Sequence, residues 1–473
     1  MSYPTEQQSE YVLNSAILSN SERNTGFDIE IKNIITSFQI FEHIEKPYLT
    51  AQFIVIDTSN LIQDYDFQGG EKLTIDIIQS EEQNDGISIT KEFLIDKIEE
   101  TSRTDETTDS VIFHCVEYHT FKSSLQNISR SYTGPISVII SKIFSEYLER
   151  DVLALGEDGV GTIKVIIPNL NPIEASTWLK RRAVSDIGMP YFLYSVLGTK
   201  NLIMRDLGSI FSDPVMNINV PFVYAPSMTS SLHGIHKYYN ILDFKISETE
   251  DLQSLIGEGL VGGEYYFYDT MTAVPFRVEH NVEDNFRELS TLNLIGGDNE
   301  RFVFGPDYKL NDKNISTYKS RSITQMSSSG VYNNGISNFK SYQQENSSSN
   351  HKRKIFARSM KAFLAKSPIQ ITVKGREFLT GDENYTIGKV IRILFIDNES
   401  TNENTSQILF DTKKSGDYVI CAARHTFDND VYNTTLSCGR LGSLSEEIVL
   451  WVLIFTVIKI DGLLVWSLIL MIH

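Results

Sequence analysis

Between Ile136 and Leu148 the apolar residues Ile136, Ile139, Ile140, Ile143, Phe144, Tyr147 and Leu148 recur at helical spacing behind a Gly134-Pro135 pair. That pattern predicts an amphipathic helix with one continuous apolar stripe. A second helix is predicted in Ile167 to Tyr194. Pro168 and Pro172 hold an extended arm, Asn171 stands at the N-cap with Pro172 at the first helical position, and Gly188 and Pro190 end the helix. Ala175, Trp178, Leu179, Ala183 and Ile187 form its apolar face, and a buried strand, Tyr191 to Val196, follows at once. A hairpin across Gly198-Thr199 returns through Leu202 to Met204.

Elsewhere the period is two. Phe27, Ile29 and Ile31 alternate with polar residues, and Leu49 to Ile56, Leu73 to Ile78, Thr90 to Ile98 and Ser110 to Tyr118 are β-rich runs. Turn signals separate them: Gly69-Gly70, Asn84-Asp85-Gly86 and the polar stretch Thr101 to Asp109. Short strands at this spacing predict an antiparallel barrel or sandwich. Strand signals resume at Ile241 to Ile246, Tyr265 to Tyr268, Ile369 to Val373, Val390 to Ile396, Tyr418 to Cys421 and Val431 to Cys438. Ile355, Met360, Phe363 and Leu364 predict a short helix, and Ser320 to Asn350, rich in Ser, Asn, Gln and Gly, predicts a mobile loop.

The last stretch breaks every pattern before it. Ile448 to Ile472 is almost wholly apolar, interrupted by Lys459, Asp461 and a few small or hydroxyl residues. The runs on either side of Lys459 and Asp461 are about ten residues each, against roughly 20 for a membrane span, and a central Lys and Asp add several kcal/mol. A span is therefore the weaker reading. The abrupt change after Leu444 is read instead as a shifted reading frame, which resequencing the gene's end would test.

With 473 residues the chain has room for two to four domains, and 41% apolar with 22% charged residues makes it globular. Its 26 Phe and 22 Tyr favour strands. The net charge of −19 argues against a nucleic-acid reader, which needs clustered Lys and Arg, and suits a wall that DNA passes without sticking. Three widely spaced cysteines, Cys115, Cys421 and Cys438, argue against a disulfide framework and fit synthesis in a reducing cytoplasm. Met1 to Glu10 lacks the apolar core of a secretory signal.

Candidate chemistry is sparse. His114, Cys115, Glu117 and His119 are the densest group of metal-capable residues, and in a strand Cys115, Glu117 and His119 would share a face. An ordinary strand with one buried Cys explains them better. Gly156 to Gly161 resembles a phosphate loop only superficially, since no Lys-Ser/Thr follows and Glu157 and Asp158 would repel phosphate. Glu99-Glu100 and Asp382-Glu383 are adjacent acids in a chain with 61 of them, so adjacency says little. His233 and His236 read as solvated loop residues, and His351-Lys352-Arg353-Lys354 as solvated charge beside the following helix. G-x-S-x-G, H-E-x-x-H and calcium-loop signatures are lacking, so no catalytic, cofactor-binding or metal residue is assigned.

Four stretches carry a resemblance: Phe113 to Phe121, Ser129 to Ser137, Ile167 to Tyr194 and Gly375 to Ile391. Together with the order of β region, α+β region and split second β region, they resemble the baseplate central hub proteins of contractile-tailed bacteriophages and the hub part of contractile injection system spike proteins. The resemblance covers roughly residues 25–440. It implies a β-rich α+β fold with two tube-like antiparallel β-barrel domains and an α+β insert region. The expected boundaries are a polar arm at 1–20, the first barrel at 21–120, the middle domain at 121–236 and 271–368, the second barrel at 237–270 and 369–443, and the anomalous tail at 444–473. It also implies a non-enzymatic homotrimer in the virion's tail baseplate that joins the tail tube to the cell-puncturing spike and lets DNA pass. The implied partners are the spike protein, the tail tube or its initiator, and the tape-measure protein, with no sequence-specific nucleic acid and no membrane. The alternative reading is a tail-associated cell-wall-degrading enzyme with a β-rich body. No internal repeat is visible in the sequence.

Overall fold

The structure is a computed structural model. It describes residues 11–20, 26–57, 69–79, 88–105, 108–156, 162–217, 221–224, 239–247, 251–269, 275–281, 309–327, 348–366, 368–379, 386–396 and 414–443, with isolated positions between them. The tail at 444–473, His233, His236, residues 157–161 and Asp382-Glu383 lie outside the described residues. Among the described residues no helix is long and apolar enough to cross a membrane.

The chain is β-rich α+β, as the sequence implies, and dominated by one antiparallel sheet. Its first seven strands are β1 (Tyr11–Ser19), β2 (Asp28–Glu30), β3 (Ile35–His43), β4 (Thr50–Asp57), β5 (Lys72–Gln79), β6 (Ser88–Asp105) and β7 (Thr108–Glu117). Tyr11–Ser19, expected within a polar arm, is instead a strand paired along β5, because Ala16 and Leu18 fill the core. Helix α1 (Tyr118–Ser124) follows β7 directly.

The middle region contains β8 (Ser131–Gly134), α2 (Ile136–Leu148), β9 (Val152–Leu155), β10 (Ile163–Ile166), α3 (Pro172–Lys180), β11 (Tyr191–Ser195), β12 (Leu202–Asp206) and α4 (Leu207–Phe211). Helix α2 buries the expected stripe. Helix α3 is capped as expected, the Glu174 amide donating to Asn171 Oδ1 at 2.8 Å, but ends at Lys180 rather than near Gly188. Two turns follow, in which the Arg182 and Ala183 amides donate to the Leu179 and Lys180 carbonyls. Ala183 stays buried, whereas Ile187 is exposed. Strand β11 is a shared layer. Tyr191 and Leu193 face a core with α2 and α3, while Phe192 and Tyr194 face the main core.

Beyond it run β13 (Phe222–Tyr224), β14 (Asp243–Ile246), α5 (Leu252–Glu258), β15 (Gly262–Asp269), β16 (Pro275–Asn281), β17 (Lys309–Leu310), β18 (Lys313–Asn314), β19 (Arg321–Ser327) and α6 (Ser348–Lys366). Strands β16, β15 and β19 form a separate sheet, so the start of the expected mobile loop, Arg321–Ser327, is a strand beside β15. Helix α6 is longer than expected and includes His351 to Lys354. The last strands are β20 (Pro368–Lys374), β21 (Val390–Phe395), β22 (Gly416–Asp428) and β23 (Val431–Ser443).

The principal sheet has 13 strands, ordered β14-β20-β23-β22-β3-β4-β7-β6-β5-β1-β2, with β21 on β22 and β13 on β21. It contains one topology twice. The order β3-β4-β7-β6-β5 and the order β14-β20-β23-β22-β21 are the same succession of antiparallel neighbours, which we call unit one and unit two. The units join where β3 pairs with the second half of β22, Ser37 opposite Asp428 through His43 opposite Ala422. One core runs beneath both. Phe38 stacks on Phe53 at 5.4 Å and on Phe427 at 4.4 Å, and Phe427 stacks on Tyr432 at 4.3 Å, so an aromatic row crosses the junction. Each such pair adds about 0.5–1.5 kcal/mol beyond its burial.

Candidate functional site: a solvated sheet face and its ionic joints

Alternation along the joined strands sends every second residue away from the core. That outer face carries Gln370 and Thr372 on β20, Thr435 and Ser437 on β23, Arg424 and Thr426 on β22, Gln39 on β3, and Gln52 on β4. It is a mixed face, because Phe41, Ile54, Ile56, Ile112 and Val116 stand among these polar groups. Lys72, Lys97, Lys245, Lys374 and Arg424 stand against Asp76, Glu92, Glu99, Asp243 and Asp428, so the chain's acidity is not concentrated on the described part of this face. Its polar groups pair with one another: Thr372 with Thr435 at 3.2 Å, and Gln52 with His114 at 3.2 Å.

The core side carries buried charges as well. Glu117 accepts from the Leu49 amide at 3.0 Å and pairs with Arg150 at 3.0 Å. Burial alone would raise its carboxyl pKa, but Arg150 and Lys91 hold it below the ordinary carboxylate range. Lys91 donates to the carbonyls of Val196 at 2.9 Å and Thr199 at 2.5 Å, and burial pushes its ammonium down to about 8. Glu42 takes the Leu197 amide and lies 3.5 Å from His425, whose other ring nitrogen meets Tyr432 at 2.8 Å. This cluster fastens unit one to the β11–β12 hairpin.

Two further joints surround it. Glu45 binds Lys180 of α3 at 2.6 Å and Lys361 of α6 at 2.7 Å. Asp213 takes both ends of Arg205 at 2.6 Å and Lys389 at 3.3 Å, tying the middle region to the start of β21. Asn217 completes that tie by pairing with both the amide and the carbonyl of Arg392.

The sequence-selected cluster does not converge. His114 lies on the outer face between Gln52 and Glu99, while Cys115 and Glu117 face the core. His119 shares no strand face with them, because the chain turns into α1 at Tyr118. Among the described residues no group of three His, Cys, Asp or Glu is placed to hold a metal ion. Burial pushes the Cys115 and Cys438 thiols well up and Cys421 to about 12, so none is a thiolate at neutral pH. Arg150, Lys91, Glu42 and His425 were not singled out from the sequence. Their signal was present: Glu42 keeps the parity of Phe38 and Ile40, and Lys91 that of Ile89 and Phe93, so each is a charge at a core position.

No family model matches this chain, and no curated protein matches it. Solved structures resemble it. A tail protein from Neisseria meningitidis MC58 is 12% identical, with 91% of this chain and 96% of that chain covered at a TM-score of 0.49. The 43 kDa tail protein of prophage MuSo2 from Shewanella oneidensis is 10% identical, with 90% and 98% covered at 0.48. The E. coli c3393 protein, a type VI secretion component similar to the T4 bacteriophage tail proteins gp27 and gp5, is 8% identical, with 87% and 74% covered at 0.38. The structural neighbours are thus phage tail, baseplate and type VI secretion proteins.

Proposed function

We propose that this chain is a structural baseplate hub subunit, assembling as a trimeric ring that joins a phage tail tube to its cell-puncturing spike and lets DNA pass. The observation that carries the reading is the duplicated topology, two equivalent β units set side by side in one sheet. Three such chains present six equivalent units, and a ring with that arrangement meets a six-fold tube on one side and a three-fold spike on the other. Its partners are two further copies of itself, the spike protein, the tube or tube initiator, and the tape-measure protein, in the tail baseplate of a virion. The buried charges act as fasteners between regions and perform no catalysis.

On this reading the outer face of the shared sheet lines the passage. The wall is then a mixture of Thr, Gln, Ser and apolar side chains with balanced charge, in place of the acidic wall expected from the net charge. Such a wall offers phosphates no clustered cations to hold them. The purified chain at neutral pH is expected to have a native mass three times the 53.7 kDa of one chain by light scattering. A monomer at micromolar concentration would sink the ring.

A further inference from the structure

The two units match residue by residue in their hydrogen bonding. The Gly70 amide donates to the Ile95 carbonyl at 2.8 Å, and the Gly388 amide to the Ile420 carbonyl at 2.8 Å. The Ile95 amide returns to Glu71 at 2.9 Å, and that of Ile420 to Lys389 at 3.0 Å. Each central hairpin has a register shift at the next residue, between Ile95 and Lys97 in β6 and between Ile420 and Ala422 in β22. Cys115 lies opposite Ile95 as Cys438 lies opposite Ile420. Through the neighbouring strands the match extends from Gln52 to Gln370, from Phe38 to Phe244 and from Ile40 to Ile246.

The units differ at one edge. In unit two β21 covers β22 only up to Val419, and past the bulge the same edge of β22 is taken by β3, beginning with the Ile44 amide on the Cys421 carbonyl at 2.8 Å. In unit one β5 likewise covers β6 only up to Leu94. From Lys97 to Asp105, β6 then pairs with β7 on one side and, among the described residues, with no strand on the other. The counterpart of β3 is β14, which among the described residues ends the sheet and pairs only with β20. The chain thus presents an open acceptor edge at one place and, at another, the strand that by its own internal example fills such an edge.

We propose that β14 of one copy adds antiparallel to the Lys97–Asp105 edge of β6 in the next copy, in the register that β3 keeps with β22. Phe41 faces Arg424 inside the chain. Ser247, whose amide bonds Pro368, is the counterpart of Phe41, and Glu99 is the counterpart of Arg424, so Ser247 faces Glu99 across the copies. Lys245 then lies one diagonal step from the exposed Glu99 on the outer face, within reach of a cross-strand charge pair. The junction is head to tail, which builds a ring if its rotation closes and a filament if it does not. Internal and intermolecular junctions alternate around that ring. Pairing also removes two strand edges that would otherwise invite uncontrolled association.

This inference rests on the trimeric reading, and its test separates the two. The variant Ser247→Cys with Glu99→Cys is oxidised, run on a denaturing gel, and compared with each single variant and with the out-of-register pair Ser247→Cys and Lys97→Cys. Covalent dimers and trimers are expected from the in-register pair alone. A native trimer without cross-links would overturn the β14–β6 junction and leave the ring standing. Cross-links in a ladder beyond the trimer would support the junction and overturn closure, and a native monomer would overturn both. Equal cross-linking of the out-of-register pair would overturn the register.

Discussion

Units one and two carry the same main-chain frame on different side chains, and they lean on the middle region by different means. Unit one uses desolvated charge: Lys91 and Glu117 are both buried against Arg150 and the β11–β12 hairpin. Unit two has Gly416 where unit one has Lys91, and Arg440 where unit one has Glu117. It is held instead by close approach, with Gly388 packed under Tyr194, and by the half-buried pairs of Asp213. What the two units share is what the backbone alone can specify: a positive-φ glycine, a bulge, and a ladder of amides and carbonyls. What differs is set by the neighbour each unit meets.

Removing the charge joint of unit one should have the largest effect. Arg150→Met leaves Glu117 buried without its main cation, and breaking a pair this deeply desolvated costs about 3–5 kcal/mol. The pH profile gives an independent check. Glu117, Glu45 and Asp213 all have depressed folded-state pKa values, against burial that would raise them, because of their Arg and Lys partners. Their stabilisation is therefore present above the unfolded carboxylate range and is lost as pH falls through the folded values. Denaturant unfolding at pH 7 and pH 4 should show the parent chain losing stability on acidification and Arg150→Met losing less. Equal losses would mean that Glu117 does not report the joint.

The packing joint of unit two should come next, and its counterpart in unit one supplies the contrast. Gly388 has φ +76°, and a Cβ there would overlap the Tyr194 hydroxyl. Gly388→Ala combines left-handed strain of about 1–2 kcal/mol with overpacking of about 1–3 kcal/mol. Gly70 has φ +88° but nothing within 4 Å of a Cβ, so Gly70→Ala should cost the strain alone. Denaturant midpoints should place Gly388→Ala well below Gly70→Ala. Equal costs would show that unit two is not held by this contact.

Much of the frame was legible in the sequence. Period-two runs located β4 to β7 and β20 to β23, and helical spacing located α2. The duplication was not legible, although Gly70 and Gly388, Ile95 and Ile420, Cys115 and Cys438, and Gln52 and Gln370 are identical pairs at equivalent places. These identities are scattered among unlike residues, and the first strand of unit two is cut off from the rest, because α5, the β16-β15-β19 sheet and α6 are inserted between β14 and β20, where unit one has only a turn between β3 and β4. A few isolated identities in a split unit leave no periodic signal. Strand β1 was missed because Asn14 and Ser15 interrupt its alternation at a bulge against β5. The joints were missed because a buried charge is only half of a pair, and Arg150 lies far from Glu117 in sequence.

The smallest effect tests whether the middle region is a passive support for both units. Asn171 caps α3 by accepting the Glu174 amide at 2.8 Å, and it also accepts the Ser123 hydroxyl at 3.2 Å, which fixes α1 against α3. Asn171→Ala removes the cap while leaving Pro172 at the first helical position, so the cost should be about 1 kcal/mol. Neither the Glu117–Arg150 joint nor the Gly388–Tyr194 contact involves this cap. Placed in the Ser247→Cys, Glu99→Cys background, the substitution should therefore lower thermal stability slightly while the native mass and the cross-link yield stay as they are without it. If the cross-link yield fell together with the melting temperature, the middle region would be setting the angle between the units, and their equivalence would depend on it rather than on the shared sheet.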